Sequence, residues 1–163
     1  RTALERCKGQ ARSLSLDLYD QWAGQEKDGK WRFTSPTHVV LAFAKAMEEL
    51  DAEGGVAARH ARYAKNNRML VEGMRKLGFP PYIDSAWQGP VITTFFYPEG
   101  AQIDFQDFYS YIKARGYAIY PGKVTDAETF RIGTIGEIYP EDIKKVLSII
   151  ADYRKERGSY GKH

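Results

Sequence analysis

The chain has 163 residues, of which 43% are hydrophobic and 28% charged, enough for one ordinary globular core and a normal globular balance. No run of about 18 apolar residues occurs, which excludes a membrane-spanning helix. The net charge of +3 is spread along the chain, which argues against a nucleic-acid footprint and suits small anionic ligands equally well.

The first residues, Arg1-Thr2-Ala3-Leu4-Glu5, carry neither an initiator Met nor an apolar signal core, as expected for a piece of a longer or processed chain. The single Cys7 excludes an internal disulfide and points to a reducing, cytoplasmic compartment. Residues 2–7 read as a short helix. Over residues 12–22, Leu14, Leu16 and Leu18 alternate with Ser13, Ser15 and Asp17, which predicts extended or strand structure. Residues 24–30 are polar, contain Gly29 and read as a loop. Thr34-Ser35-Pro36 is a helix-start signal: a hydroxyl cap precedes a proline in the first turn. Apolar residues then recur at helical spacing from Val40 to Leu50, and Gly54-Gly55 ends the helix. A second long helix is predicted over residues 56–77, with Gly78 as its stop.

The pattern then changes. Residues 91–97 form a β-rich run between two prolines. Residues 104–115 read as a helix closed by Gly116. Residues 117–120 read as a strand stopped by Pro121-Gly122, and residues 129–135 as a strand stopped by Gly136. Pro140-Glu141-Asp142 opens a last helix with Ile143, Val146, Leu147 and Ile150 on one face, followed by a polar tail over residues 154–163. The order strand, helix, strand, strand, helix describes a small α+β layer with helices on a short antiparallel sheet. The residues before it have no strands of their own to pack on, so they are expected to belong to a larger body.

Few residues carry chemistry. Alternation puts Arg131 on the sheet face opposite Phe130 and Ile132. A guanidinium there can grip an anion through two parallel bonds, although on the strand alone the commoner arrangement is a surface pair with a carboxylate such as Glu137. Thr34 offers a hydroxyl at a helix N-terminus, where phosphate is readily held, although an ordinary capping threonine is commoner. Trp31 could wall a cofactor ring, although such aromatics are usually core. Lys123, in Tyr120-Pro121-Gly122-Lys123, is a weak Schiff-base candidate, since most turn lysines are simply solvated. His38 and His60 lack metal-ligand spacing and read as structural, and no Cys/His cluster suggests zinc.

Five runs in one order carry a resemblance that covers nearly the whole chain. They are Arg12-Ser13-Leu14-Ser15-Leu16-Asp17-Leu18-Tyr19-Asp20-Gln21-Trp22, Lys30-Trp31-Arg32-Phe33-Thr34-Ser35-Pro36-Thr37-His38, Gly54-Gly55-Val56-Ala57-Ala58-Arg59-His60, Tyr120-Pro121-Gly122-Lys123, and Phe130-Arg131-Ile132-Gly133-Thr134-Ile135-Gly136. Together they resemble the 2-aminoethylphosphonate:pyruvate aminotransferases, pyridoxal 5'-phosphate (PLP) enzymes of fold type I in the alanine–glyoxylate aminotransferase branch. The resemblance implies an α/β fold class: the C-terminal part of a fold-type I PLP-dependent transferase, with residues 1–55 ending the large PLP-binding domain and residues 56–163 forming the small C-terminal α+β domain. It implies that Thr34 bonds the PLP phosphate of the neighbouring subunit in a homodimer and that Arg131 binds the substrate carboxylate, which leaves Trp31 as a cofactor-binding candidate on its own chemistry. It places the Schiff-base lysine, the aspartate at the pyridine nitrogen and the phosphate loop in the large domain, upstream of Arg1. The implied reaction moves an amino group from 2-aminoethylphosphonate to pyruvate, with PLP as electron sink, and leaves phosphonoacetaldehyde and alanine.

The rival readings are another transamination on the same fold, of the alanine–glyoxylate or serine–pyruvate type, and a non-catalytic α+β interaction module. A cysteine desulfurase is disfavoured by the position of Cys7 near the chain end. An RNA-binding sheet displaying Phe95, Phe96 and Tyr97 is disfavoured because adjacent strand residues face opposite ways.

Overall fold

The computed structural model describes residues 1–124 and 127–157. It divides into two compact units, Arg1–Glu49 and Leu50–His163.

The first unit is helical. Helix α1 spans Thr2–Arg6, α2 spans Leu18–Asp28, and α3, Thr37–Ala52, runs across the boundary into the second unit. Two sequence expectations are corrected here. Residues 12–17 are irregular rather than a strand, because Asp17 takes an extended conformation and its side chain accepts the Asp20 amide at 3.0 Å, which starts α2 at Leu18. The local cap overrides a short run of alternation that has no strand beside it. Residues 24–28 are helix rather than loop. Only Gly29, in the left-handed conformation (φ 72°), ends α2, and its amide bonds the Gln25 carbonyl at 2.9 Å. None of these three helices buries a residue fully, and Leu14, Leu16, Leu18, Val39, Leu41 and Phe43 are each more than 60% exposed.

The second unit holds the core. Helix α4 spans Gly55–Lys76, β1 Ile92–Phe96, α5 Phe105–Lys113, β2 Tyr120–Val124, β3 Ala127–Gly133 and α6 Pro140–Arg157. The strands form one antiparallel sheet in the order β1-β3-β2. The inner sheet face carries Thr93, Phe95, Phe130 and Ile132, against which the helices place Leu70, Met74, Phe108, Ile112, Val146 and Ile150. Phe130 is the hub: its ring lies 5.2 Å from those of Tyr97 and Phe108, 5.6 Å from Phe79 and 5.9 Å from Phe95. The small α+β layer expected from the sequence is therefore present, with its helices on one face.

Strand β2 begins where the sequence predicts it to end. Pro121 and Gly122 lie inside it, opposite Phe130 and Thr129. The sheet order explains this, because β2 is an edge strand and an edge can do without one donor. A Cβ on Gly122 would stand 2.8 Å from the Thr129 carbonyl carbon and oxygen, so the bare backbone allows that close pairing. Residues 125–126 and 158–163 lie outside the described residues, as does the side chain of Lys123, so the weak Schiff-base candidate is not placed.

Gly73, inside α4, is also a point of close approach. A Cβ there would run into the Leu147 side chain of α6, whose Cγ would be 3.1 Å away. Gly73→Leu is expected to destabilise the protein by about 2 kcal/mol through overpacking, despite leucine's better helix propensity. A thermal melt no lower than that of the wild type would show that α4 and α6 can separate freely.

Charge organises the start of α4 within the second unit. The Glu53 carboxylate accepts from Arg62 Nε at 2.6 Å, from Arg59 Nε at 2.7 Å and from Arg62 Nη2 at 3.1 Å. Arg62 Nη1 also donates to the carbonyls of Gly136 (2.8 Å) and Ile138 (2.9 Å), and Asn66 Nδ2 donates to the Ile138 carbonyl at 2.7 Å. These bonds tie the chain leaving β3 to α4. The hydrogen bonds from Arg62, then those from Arg59, lower the Glu53 pKa from 4.5 to about 2. A carboxylate with a depressed folded-state pKa stabilises the fold fully above its ordinary pKa and loses that contribution as the pH falls. The loss is expected between about pH 4.5 and pH 2. Melting temperatures followed over that range should fall more steeply for the wild type than for Glu53→Gln, and parallel curves would remove Glu53 from the acid response.

Candidate active site

The residues singled out by sequence fall in both units. Trp31 and Thr34 lie in the first, in the irregular segment between α2 and α3, and Arg131 lies in the second, at the middle of β3.

Thr34 is exposed, and its hydroxyl makes no hydrogen bond to the described residues. It does not cap α3, which starts three residues later at Thr37, after Pro36 has set the backbone angle. The Val40 amide bonds the Pro36 carbonyl at 3.0 Å, but no side chain among the described residues accepts from the amides of Thr37, His38 or Val39. The first turn of α3 also contains no acidic residue. An uncapped helix start with an intact positive dipole beside a free hydroxyl suits a phosphate group. Trp31 is 42% exposed, so part of its indole face is open to a flat ring. By this chemistry the segment fits PLP.

Arg131 is exposed on the outer sheet face, while its neighbours Phe130 and Ile132 are 0% and 5% exposed on the inner one. Thr94 of β1 and Tyr120 of β2 flank it in the register. Its Nε and Nη2 donate to the Pro121 carbonyl at 3.3 and 3.1 Å. Nη1 and one Nη2 proton have no partner among the described residues. The surface pair with Glu137 does not form, and no described carboxylate lies within ion-pair distance of Arg131. A guanidinium oriented by a carbonyl, with donors to spare, is suited to a carboxylate or phosphonate.

The displayed-aromatics reading fails on burial. Phe95 is fully buried, Tyr97 packs on Phe130, and Phe96 rests on Tyr82 at 5.2 Å between ring centres. A groove of about 430 Å³ between α4 and residues 81–90, lined in part by His60, Arg68 and Glu72, contains none of the three singled-out residues. No described helix is long and apolar enough to cross a membrane, and no group of His, Cys, Asp or Glu among the described residues could hold a metal ion.

Sequence reasoning passed over Arg32, whose guanidinium fills the space between α2 and the segment that carries Thr34. The only sequence signal is an arginine set between two aromatics, Trp31 and Phe33.

The fold is that of part of the fold-type I PLP aminotransferases. Pyridoxamine–pyruvate aminotransferase from Mesorhizobium loti matches with a TM-score of 0.81 at 18% identity, covering 97% of this chain and 41% of that one. Alanine–glyoxylate aminotransferase from Nostoc sp. matches with a TM-score of 0.75 at 18% identity, covering 92% and 41%. In sequence the chain is similar to 2-aminoethylphosphonate–pyruvate transaminases: that of Bacteroides fragilis at 57% identity over 93% of this chain and 42% of the relative, and that of Vibrio cholerae at 55% over 91% and 41%. The chain thus spans about two fifths of the length of the curated relatives it matches. No model of a known protein family matches it.

Proposed function

We propose that this chain is part of a PLP-dependent aminotransferase that transfers the amino group of 2-aminoethylphosphonate to pyruvate, releasing phosphonoacetaldehyde and alanine in phosphonate degradation. The observation that carries the reading is the Arg131 guanidinium, held on an exposed sheet face with open donors and no acid among the described residues to neutralise it. The similarity to transaminases of that name supports it.

Each residue has a defined task in this reading. Arg131 orients the keto acid by its carboxylate, and its fork fits the phosphonate of the amino donor as well. The Thr34 hydroxyl and the first amides of α3 hold the cofactor phosphate, and Trp31 covers the cofactor ring. When bound, PLP supplies the electron sink for proton loss at the amino-bearing carbon. The Schiff-base lysine comes from polypeptide beyond this chain, residues 1–55 close the large domain, and residues 56–163 are the small one. The enzyme is a cytoplasmic homodimer in which Thr34 serves the neighbouring subunit's cofactor.

The test is a substrate panel on the complete enzyme. Alanine should form from pyruvate at least tenfold faster with 2-aminoethylphosphonate than with serine or other amino donors. A preference for the alanine–glyoxylate pair or the serine–pyruvate pair would move the chain to the neighbouring specificity. No turnover with any donor would leave the interaction-module reading.

A further inference from the structure

The geometry points to Arg32 as a positioning residue for the phosphate-binding segment, an inference that rests on the reading of Thr34 as a phosphate ligand. The side chain of Arg32 is only 19% exposed. Its Nη1 donates to the Leu14 carbonyl at 2.9 Å, and its Nη2 pairs with Asp20 Oδ2 at 3.2 Å. Its own backbone amide donates to Gln21 Oε1 at 3.2 Å, and its guanidinium lies 5.3 Å from the centre of the Phe33 ring. Three stretches of chain therefore meet on one residue: the irregular turn at Leu14, the first turn of α2, and the segment that carries Trp31 and Thr34.

That segment has no sheet ladder or helix of its own to fix it. Between Trp31 and Thr34, the hydrogen bonds to the rest of the unit are those made by Arg32. Downstream, Pro36 restrains Ser35 and α3 begins at Thr37. Thr34 is thus fixed between a pinned residue two positions before it and a helix start three positions after it. Both terminal nitrogens of the Arg32 guanidinium are engaged by Leu14 and Asp20, so Arg32 acts on the phosphate by holding Thr34 in place. A lysine keeps the charge but cannot reach two acceptors in different directions. Geometry and charge are therefore separable.

The experiment measures the PLP dissociation constant of the complete enzyme by titrating the apo form, together with the ³¹P chemical shift of the bound cofactor. Thr34→Ala should weaken PLP about tenfold, as expected for losing a hydrogen bond to a charged group. Arg32→Ala should weaken it five- to tenfold and shift the ³¹P resonance, and Arg32→Lys should not restore either. The double variant should bind about as weakly as Thr34→Ala alone, because the two residues act on one contact. Should Arg32→Ala fail to fold, Gln21→Ala, which frees the Arg32 amide but leaves the Asp20 pair, is expected to weaken PLP in the same direction. Multiplying losses in the double variant, recovery with lysine, or wild-type affinity in both Arg32→Ala and Gln21→Ala would overturn the positioning role while leaving Thr34 as a ligand. Wild-type affinity in Thr34→Ala would overturn both together.

Discussion

Arg131→Ala in the complete, PLP-loaded enzyme is expected to lower kcat/KM for pyruvate by about 100- to 1,000-fold, the effect of removing one partner from a hydrogen-bonded charge pair once the rest of the enzyme and bound substrate shield it from water. The loss should fall mainly on KM, since in the proposed reaction the guanidinium would hold a carboxylate that does not itself react. Arg131→Lys should recover only part of it, because an ammonium cannot make two parallel bonds. The Pro121 carbonyl strengthens this expectation: it fixes the plane of the guanidinium and leaves Nη1 open. If one fork serves both substrates, KM for 2-aminoethylphosphonate rises as well. An unchanged KM for the amine would confine Arg131 to the keto-acid half. Wild-type kinetics with both substrates would remove Arg131 from the site.

Phe130→Ala is expected to destabilise the fold by about 3–5 kcal/mol, the usual cost of deleting a buried aromatic ring. Its side chain is fully buried and touches four other rings contributed by both sides of the core. Against a typical total stability of about 5–15 kcal/mol, that is a large share. The denaturant midpoint should fall at unchanged slope, and Phe130→Leu should cost clearly less than alanine. A midpoint shift worth under about 1 kcal/mol would mean that the core relaxes around the cavity. Phe130 is also the residue next to Arg131, so its loss should loosen the strand that aims the guanidinium.

The second unit was largely legible in the sequence because its signals are local and agree with one another. Gly54-Gly55, Gly78, Gly116 and Gly136 punctuate the elements, and the faces of α5 and α6 repeat at helical spacing. Alternation also sent Arg131 to the outer face. The sequence misled where a tertiary or capping fact decides. Pro121 and Gly122 look like a strand stop until the order β1-β3-β2 puts them on an edge. The leucines at 14, 16 and 18 look like a strand until Asp17 caps a helix among them. The grip of Arg32 on Leu14, Asp20 and Gln21 has no periodic signature, since it joins residues up to eighteen positions apart across an irregular segment.

The greasy helices of the first unit carry a practical lesson for anyone making this polypeptide by itself. Valine, leucine and phenylalanine side chains left this open to solvent stick to one another. Expression without a covering partner should give aggregates or inclusion bodies, and co-expression with the remainder of the enzyme should restore a dispersed product.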